Sequence, residues 1–577
     1  MLGKAAIGLQ SFEEIRRKNI FYVDKTDFIR EWWENEDSVT LITRPRRFGK
    51  TLNLNMVECF FSNQYVDGAD LFEGLSVWGD EKYRKLQGSY PVVFVSFAKV
   101  KSVDYEGMKY SIANIIFEIY QENRYLLEGD VLSDNEKEYF NSIKPGMSEA
   151  AAADSIHILT NFLSRYYGRN VIVLLDEYDT PMQEAWLSGY WDRAAGFFRN
   201  FFNATFKTNQ HIYRGLITGI TRISKESIFL DFNNLEVVTT TSEKYARCFG
   251  FTEQEVFYAL DEMGMGGEKQ RVKKWYDGFT FGSITNIYNP WSVVSFIANG
   301  AKYKPYWADT SSNGLVSRLI REGSADIKQK FEQLLEGRTI VTPVDEQMVY
   351  HQLADDENAV WSLLLASGYQ RVVSIDDINI HDSLEEEKYE LTVTNHEVRR
   401  MFAKMIRGWF GGRLHTSYND FIKALLMDDV EAMNEFMNKI ALQSFSSFDI
   451  AKNASKEDEP ERFYHGFVLG LMVGLEERFT ITSNRESGFG RYDVMMIPVN
   501  RENDKAYIIE FKVYKPRKEK SLEETVANAL AQIQEKQYAV KLEADGIAPE
   551  NIRKYGFAFS GKKCLIGTEQ ICQETAW

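Results

Sequence analysis

Two short stretches near the C-terminus bring carboxylates and a lysine into a spacing that suits phosphate chemistry. Asp493 lies near the end of one predicted strand, and Glu510 and Lys512 lie in the next, beyond the turn residues Asn503 and Asp504. An antiparallel hairpin folded at this turn would place Asp493 across from Lys512, within one or two residues of register. Because alternate side chains of a strand share a face, Glu510 and Lys512 would project together. Such a set could hold Mg2+ and stabilise charge during phosphodiester hydrolysis.

A glutamine and a tyrosine further along the chain extend the pattern of this hairpin. Gln532 and Tyr538 lie in the helical stretch that follows Lys512. The segment resembles the PD-(D/E)XK nuclease superfamily, whose members often carry a glutamine and a tyrosine at this spacing after the catalytic lysine. The resemblance implies that Asp493 and Glu510 bind Mg2+ or Mn2+. These two acids would act in catalysis together with Lys512, and Gln532 and Tyr538 would support the site.

Some features of this segment have other interpretations. Glu510 and Lys512 could simply be the outward charges of an edge strand exposed to solvent. The helix predicted for residues 462–476 is preceded by Glu461, which could add a metal ligand. The basic run at residues 512–520 suits a nucleic-acid backbone, but it is also typical of a solvated loop.

A second phosphate-binding pattern lies near the N-terminus. Residues 38–43 predict a buried strand and residues 52–61 a helix, and Gly49-Lys50-Thr51 between them matches the end of a P-loop. In such a loop the backbone N–H groups hold phosphate, the lysine reaches the β and γ oxygens, and the threonine binds Mg2+. The predicted nucleotide-binding residues of the loop are Arg47, Phe48, Gly49, Lys50 and Thr51.

The first position of the loop departs from the full P-loop pattern. Arg44 stands where that pattern has a glycine. A positive φ at this position would strain an arginine more than a glycine, which leaves the loop conformation open. An ordinary turn between a strand and a helix is the alternative interpretation.

Two adjacent acids favour nucleotide binding over an ordinary turn. Asp176 and Glu177 directly follow the apolar strand predicted for residues 171–175, as in a Walker B motif. Asp176 would bind Mg2+, directly or through water, and Glu177 would polarise the attacking water. Acids at a strand end can also be surface residues. The apolar strand before the pair, expected in the same parallel sheet as the P-loop, makes the functional interpretation the favoured one.

Seven motifs follow one another in an order typical of one family. They are residues 7–17, 22–26, 44–51, 175–181, 218–222, 225–228 and 275–279. This succession resembles the AAA-ATPase-like family found in anaerobic and gut-type bacteria, whose members typically carry a PD-(D/E)XK nuclease-like domain at the C-terminus. An arginine at the start of the loop is usual in that family. The resemblance implies ATP as the nucleotide, whereas the residues themselves do not select a base.

Thr218 and Arg222 lie at the end of a further predicted strand, where related ATPases place a sensor that reads the γ-phosphate. Arg222 would serve as that sensor, or as an arginine finger in a neighbouring subunit of a homo-oligomer. An arginine paired with a surface acid is an equally good explanation. Tyr22 and Asp24 precede the first strand, and their segment could pack on the adenine.

The apolar stretches predict an α/β protein. Strands are predicted at residues 38–43, 91–97, 171–175 and 214–220. Because helical stretches separate them, they indicate a parallel sheet with helices on both faces, as in a P-loop NTPase. The predicted domains are an ATP-binding domain with a small helical lid over residues 1–285, a mainly helical connector over 286–457, and a restriction-endonuclease-like α/β domain over 458–577.

Length, charge and cysteine content restrict the function classes. The 577 residues allow two to four domains with buried cores. A formal charge of −16 excludes bulk nucleic-acid binding, so a nucleic acid must enter a locally basic groove. Four scattered cysteines fit a reducing cytosol. Without a signal-peptide pattern or an apolar run of about 20 residues, the chain is expected to be cytoplasmic, with no membrane partner.

Together these patterns predict a protein that binds and hydrolyses ATP and carries a Mg2+-dependent nuclease domain. Nucleic acid is the expected partner, DNA more than RNA, and its cleavage would be under ATP control. The alternative is a regulatory or motor ATPase whose nuclease-like domain binds nucleic acid or protein without cutting.

Overall fold

The computed structural model describes most of the chain. The described residues are 3–222, 228–229, 232–308, 316–317, 319–320, 325–335, 337–345, 357–376, 387–409, 414–444, 475, 478–487, 490–501, 504–560 and 563–569. The chain divides into two compact units, Met1–Leu319 with Val341–Val398 and Ile320–Ile340 with Arg399–Trp577. This division passes through the predicted connector, residues 286–457.

A five-stranded parallel sheet forms the centre of the first unit. Its strands are β1 Val39–Thr43, β2 Val92–Ser96, β3 Val171–Asp176, β4 Ile212–Gly219 and β5 Leu235–Val238. They lie in the order β2-β3-β4-β1-β5, and each pair of neighbours is parallel. The four predicted strands and their parallel arrangement are confirmed. Strand β5 was not predicted, because four residues of mixed polarity give too short a pattern.

Helices cover both faces of this sheet, as predicted. On β3, Val173 and Leu175 pack into one apolar cluster, whereas Ile172 and Leu174 pack into another on the opposite face. The helices of the described chain are α1 Phe12–Arg17, α2 Asp27–Glu34, α3 Lys50–Phe61, α4 Glu81–Arg84, α5 Tyr105–Glu122, α6 Asp134–Ser142, α7 Glu149–Tyr167, α8 Thr180–Ser188, α9 Trp191–Phe202, α10 Glu253–Glu262, α11 Lys269–Tyr276, α12 Pro290–Ala298, α13 Ala325–Leu335, α14 Glu357–Ala366, α15 His396–Trp409, α16 Leu414–Leu426, α17 Val430–Ser444, α18 Leu522–Glu535 and α19 Val540–Ala544.

Two small sheets accompany the connecting helices. Strands β6 Phe251–Thr252, β7 Phe279–Phe281 and β8 Ile284–Tyr288 form one antiparallel sheet. Strands β9 Ile340–Pro343, β10 Gln370–Asp376 and β11 Lys388–Val393 form the other, in the order β10-β11-β9. The sequence indicated only β11 in this region, so the connector contains more strand than expected.

The second unit is built on a mixed five-stranded sheet. Its strands are β12 Phe479–Ser487, β13 Gly490–Pro498, β14 Ala506–Val513, β15 Ile552–Ser560 and β16 Lys563–Thr568, in sequential order. Only β14 and β15 are parallel, and the crossover between them contains α18. Ile508 packs towards α18, and Tyr507 and Ile509 pack on the opposite face. The predicted α/β class is therefore confirmed for this unit as well.

No helix among the described residues is long and apolar enough to cross a membrane.

Candidate active sites

The loop after β1 has a conformation that the sequence left open. Gly49 adopts a left-handed conformation, φ 82°, immediately before α3. The other positive φ in the loop is at Arg47, 65°, so the strain considered for Arg44 falls on Arg47 instead. Arg44 is buried, and its guanidinium donates to the carbonyls of Thr43 (3.0 Å) and Lys244 (3.3 Å). The arginine therefore ties the loop to the segment after β5 by its side chain.

Lys50 is held inside this loop. Its Nζ donates to the carbonyl oxygens of Arg44 and Pro45, at 2.8 and 2.9 Å. Burial lowers the pKa of Lys50, and the nearby carboxylates of Glu177 and Asp179 oppose that effect. The ammonium group of Lys50 thus lies in the loop, hydrogen-bonded to backbone carbonyls and near acids, and a phosphate bound in the loop could replace these carbonyls as its partner.

Asp176, at the end of β3, is fully buried and accepts hydrogen bonds from two threonines. Thr51 Oγ1 donates to its Oδ2 at 2.8 Å, and Thr218 Oγ1 donates to its Oδ1 at 2.9 Å. Burial raises the pKa of Asp176, while the hydrogen bond from Thr51 lowers it. Thr218, which the sequence suggested as a phosphate sensor, is therefore placed behind Asp176 and is itself buried.

A cavity of about 370 Å³ lies over the loop. Its walls include residues 46–53, residues 6–10 and 20–23 of the N-terminal segment, and Glu177. All five loop residues predicted to bind nucleotide line it. Glu177 has φ 52° and accepts a hydrogen bond from Thr180 Oγ1 at 3.0 Å.

The other residues predicted for the ATP site do not all line this cavity. Arg222 lines a separate small pocket together with Thr43 and Ser362. Tyr22 is in the wall of the large cavity, whereas the carboxylate of Asp24 accepts from the backbone N–H groups of Thr26 (2.9 Å) and Ser76 (2.6 Å). The motif residues 225–227 lie outside the described residues.

Two residues to which no role was assigned from the sequence organise this site. Asp179 Oδ2 accepts from the backbone N–H groups of Ile220 and Thr221, both at 2.9 Å. Tyr178 Oη donates to the carbonyl of Thr221 at 2.7 Å. A Cβ on Gly219 would lie 2.5 Å from the Tyr178 ring, so the close approach requires glycine. The only sequence signal for these contacts was the position of Tyr178 and Asp179 directly after Asp176-Glu177.

In the second unit, the hairpin predicted from Asp493 and Lys512 is present with a shifted register. Val494 pairs with Ile509, and continuing this register places Asp493 opposite Glu510. The shift lies within the predicted tolerance of two residues. The backbone N–H of Phe511 donates to Asp493 Oδ2 at 2.7 Å, which fixes the carboxylate beside β14.

Glu510 is buried at the centre of the predicted nuclease set, with 1% of its surface exposed. Its Oε1 accepts from Gln532 Nε2 and lies 3.4 Å from Lys512 Nζ. Gln532 Nε2 also lies 3.2 Å from Tyr538 Oη. The structure thus brings all five predicted residues together. The alternative of an exposed edge strand is wrong, because β14 lies between β13 and β15.

The electrostatics of this site favour a cation. Burial and the neighbouring carboxylate of Asp493 raise the pKa of Glu510 to about 8, and Lys512 opposes the rise. Glu510 Oε2 is buried without a hydrogen-bond partner in the described part of the chain. An oxygen ligand pair of this kind fits a hard divalent cation such as Mg2+ or Mn2+.

The rest of the predicted metal site is not covered by the structure. Glu461 and the predicted helix at residues 462–476 lie outside the described residues, except for Leu475. Within the described ranges, no three His, Cys, Asp or Glu side chains gather as a metal-binding group. Asp493 and Glu510 are the two acids that could hold an ion here.

Comparisons with known proteins agree with this architecture. Residues 6–229 match the family described as predicted AAA-ATPase, and residues 459–569 match the PD-(D/E)XK nuclease superfamily. An uncharacterized protein in the vnfD 5' region of Azotobacter chroococcum mcd 1 is 25% identical over 569 residues, covering 96% of each chain. The chain therefore combines a predicted AAA-ATPase domain with a domain of the PD-(D/E)XK nuclease superfamily.

Proposed function

We propose that this protein binds and hydrolyses ATP and cleaves nucleic-acid phosphodiesters with a divalent metal ion, under ATP control. DNA is the first substrate to test. The observation that carries the nuclease proposal is the set Asp493, Glu510 and Lys512 on one sheet face, with Gln532 donating to the buried carboxylate of Glu510.

At the proposed nuclease site, each side chain has a separate task. Asp493 and Glu510 would hold Mg2+ or Mn2+, which would offset negative charge on the reacting phosphate. Lys512 orients a water molecule for attack on phosphorus and stabilises the negative charge that builds on the phosphate oxygens. Gln532 holds the Glu510 carboxylate through Oε1 and leaves Oε2 for the metal ion. Hydrolysis forms a bond between the water oxygen and phosphorus and breaks the bond from phosphorus to one sugar oxygen, which leaves as a hydroxyl group with a proton from water.

At the proposed ATP site, the loop supplies the phosphate contacts. Lys50 leaves the carbonyls of Arg44 and Pro45 to reach the β and γ oxygens, and the backbone N–H groups before α3 bind the remaining oxygens. Thr51 and Asp176 would hold Mg2+, which would neutralise phosphate charge. Glu177, directly after Asp176 and in the cavity wall, polarises the attacking water.

The first experiment compares two lysine variants in the full chain. Lys512→Ala should abolish metal-dependent cleavage, because the site loses the ammonium group that orients the attacking water and stabilises negative charge on the phosphate. Lys554→Ala is the matched control, since Lys554 lies on the neighbouring strand, is 23% exposed against 27% for Lys512, and also pairs with a glutamate. Unchanged cleavage by Lys512→Ala would contradict the assignment of Lys512 to the nuclease site.

The same assay distinguishes a nuclease from an ATPase that binds nucleic acid without cutting it. Nucleic acid is incubated with Mg2+ or Mn2+, with and without ATP, and both products and ATP turnover are measured. ATP turnover that responds to a nucleic acid left intact would favour a regulatory or motor ATPase over the proposed nuclease.

A further inference from the structure

A basic turn follows the candidate nuclease strand. Residues 515–520, here called the basic turn, join β14 to α18 and contain Lys515, Arg517, Lys518 and Lys520 against one acid, Glu519. The net charge of −16 repels polyanions overall, so a nucleic acid needs a locally positive segment to bind. The sequence alone did not distinguish this segment from a solvated loop.

The single acid of the basic turn is used internally. Glu519 Oε2 accepts from the backbone N–H of Lys515 and from Thr525 Oγ1, both at 2.9 Å. Its Oε1 accepts from Asn528 Nδ2 at 2.9 Å. Burial alone would raise the pKa of Glu519, but these donors outweigh it and keep the pKa below its usual value. Glu519 therefore folds the turn and fastens it to α18.

The cations of the basic turn lie mostly at the surface. Arg517, Lys518 and Lys520 are exposed and Lys515 is half-buried. None of the four forms an ion pair with another residue in the described ranges. The hydrogen bonds of Glu519 fold the turn, so its three exposed cations lie together in one short surface segment. A polyanion is the ligand that such an arrangement fits.

The distance between the basic turn and Glu510 of the candidate nuclease site can be estimated along two elements, β14 and α18. Strand β14 continues to Tyr514, whose N–H donates to the Phe559 carbonyl at 2.8 Å, so the path from Glu510 to Lys515 is about 16 Å at about 3.3 Å per residue. Helix α18 returns from Ser521 to Gln532, which contacts Glu510, and eleven steps of about 1.5 Å give about 16 Å. The two paths agree.

We propose that the basic turn binds the phosphate backbone of nucleic acid beside the candidate nuclease site. The inference rests on the proposed nuclease function and names the surface that holds its substrate. With a rise of about 3.4 Å per base pair along the axis of a duplex, about 16 Å parallel to that axis places the turn about four or five base pairs from the bond that is cut. The contact is to phosphate, so it carries little sequence preference.

The test removes two exposed cations from the full chain. Arg517→Ala/Lys518→Ala is compared with Lys423→Ala/Lys439→Ala, which removes two exposed lysines from the helices that pack on the opposite sheet face. Binding of labelled duplex DNA, single-stranded DNA and RNA is measured by fluorescence anisotropy with a metal chelator present. Salt is varied between about 50 and 200 mM.

The turn variant should bind at least one of these nucleic acids on the order of tenfold more weakly at low salt, and its salt slope should fall by about 2. The control should match the wild type. Equal binding by the turn variant and the wild type would overturn the proposal, as would a wild type that binds none of the three. If such a wild type or variant still cuts nucleic acid in a Lys512-dependent manner, the nuclease proposal stands without the basic turn.

Discussion

At the scale of single residues, the buried carboxylate of Glu510 depends on its neighbours. Gln532 and Lys512 both approach its Oε1, and Asp493 is held next to it by the N–H of Phe511. A ligand carboxylate oriented by a hydrogen bond binds a metal better than a free one, because less motion is lost on binding. Gln532 is thus a positioning residue for the proposed metal site.

Gln532→Leu should raise the metal concentration needed for half-maximal cleavage by about 10- to 100-fold. The control is Gln534→Leu on the same helix, where Gln534 is exposed and donates to Glu569. A metal titration of the cleavage rate for both variants measures the effect, and the thermal unfolding midpoint checks the fold. Equal metal requirements in the two variants would show that Gln532 does not position Glu510.

Residue types and spacing predicted which side chains would meet, but not how they contact each other. Asp493, Glu510 and Lys512 could be grouped because a strand alternates faces. The hydrogen bond from Thr218 to Asp176 could not be predicted, because it depends on β3 and β4 being neighbours in the sheet. Arg222 was grouped with the ATP site from its position after a strand, yet its side chain lies at another pocket.

At the scale of elements, long apolar strands were predictable and short mixed ones were not. Strand β3 is six residues of nearly continuous Val, Ile and Leu, whereas β9 has four residues and β10 mixes polar and apolar types. The hairpin register differed by two residues because the observed pairing of Val494 with Ile509 centres the hairpin between residues 501 and 502, whereas the predicted pairing centred it between 502 and 503. Turn residues alone did not give the loop length.

The loop between α16 and α17 makes a pH-dependent contribution to the second unit. Asp428 accepts from Lys505 Nζ, Arg553 Nε (2.7 Å) and Tyr555 Oη (3.0 Å). Burial alone would raise the pKa of Asp428, but these donors outweigh it and lower the pKa. Because the folded state holds the proton less tightly, this stabilisation is complete above about pH 4 and is lost as the pH falls through the folded pKa.

Asp428→Asn should therefore lower the free energy of unfolding of this unit by about 1–3 kcal/mol at pH 7. The difference from the wild type should shrink as the pH falls below about 4. Calorimetric unfolding of both proteins at several pH values provides the measurement. A difference that stays constant down to the lowest pH would contradict the assigned charge state of Asp428.

The basic turn gives a second prediction at the scale of elements. Glu519→Ala removes no cation but leaves Asn528 and the Lys515 N–H without their acceptor. Nucleic-acid binding should weaken because the turn loses its fixed shape, even though the net charge becomes less negative. Anisotropy titrations against wild type measure this. Tighter binding, as expected from charge alone, would contradict the role of Glu519 as the scaffold.

At the scale of the whole molecule, the two proposed phosphate-handling sites lie in two different compact units of one chain. ATP control of cleavage requires that occupancy of the first site changes the activity of the second. Lys50→Ala should abolish ATP binding, because the ammonium group that reaches the phosphates is gone, and should remove the response of cleavage to ATP. Lys512→Ala should keep ATP binding. Nucleotide binding and cleavage assays on both variants check this pair of outcomes, and an undiminished ATP response in Lys50→Ala would contradict it.

The most direct measurement is cleavage of linear duplex DNA by the full chain in Mg2+ or Mn2+, with and without ATP, with Lys512→Ala in parallel. We predict metal-dependent products from the wild type, a rate that changes when ATP is added, and no products from Lys512→Ala. Intact DNA in every wild-type reaction, or equal cleavage by wild type and Lys512→Ala, would contradict the account.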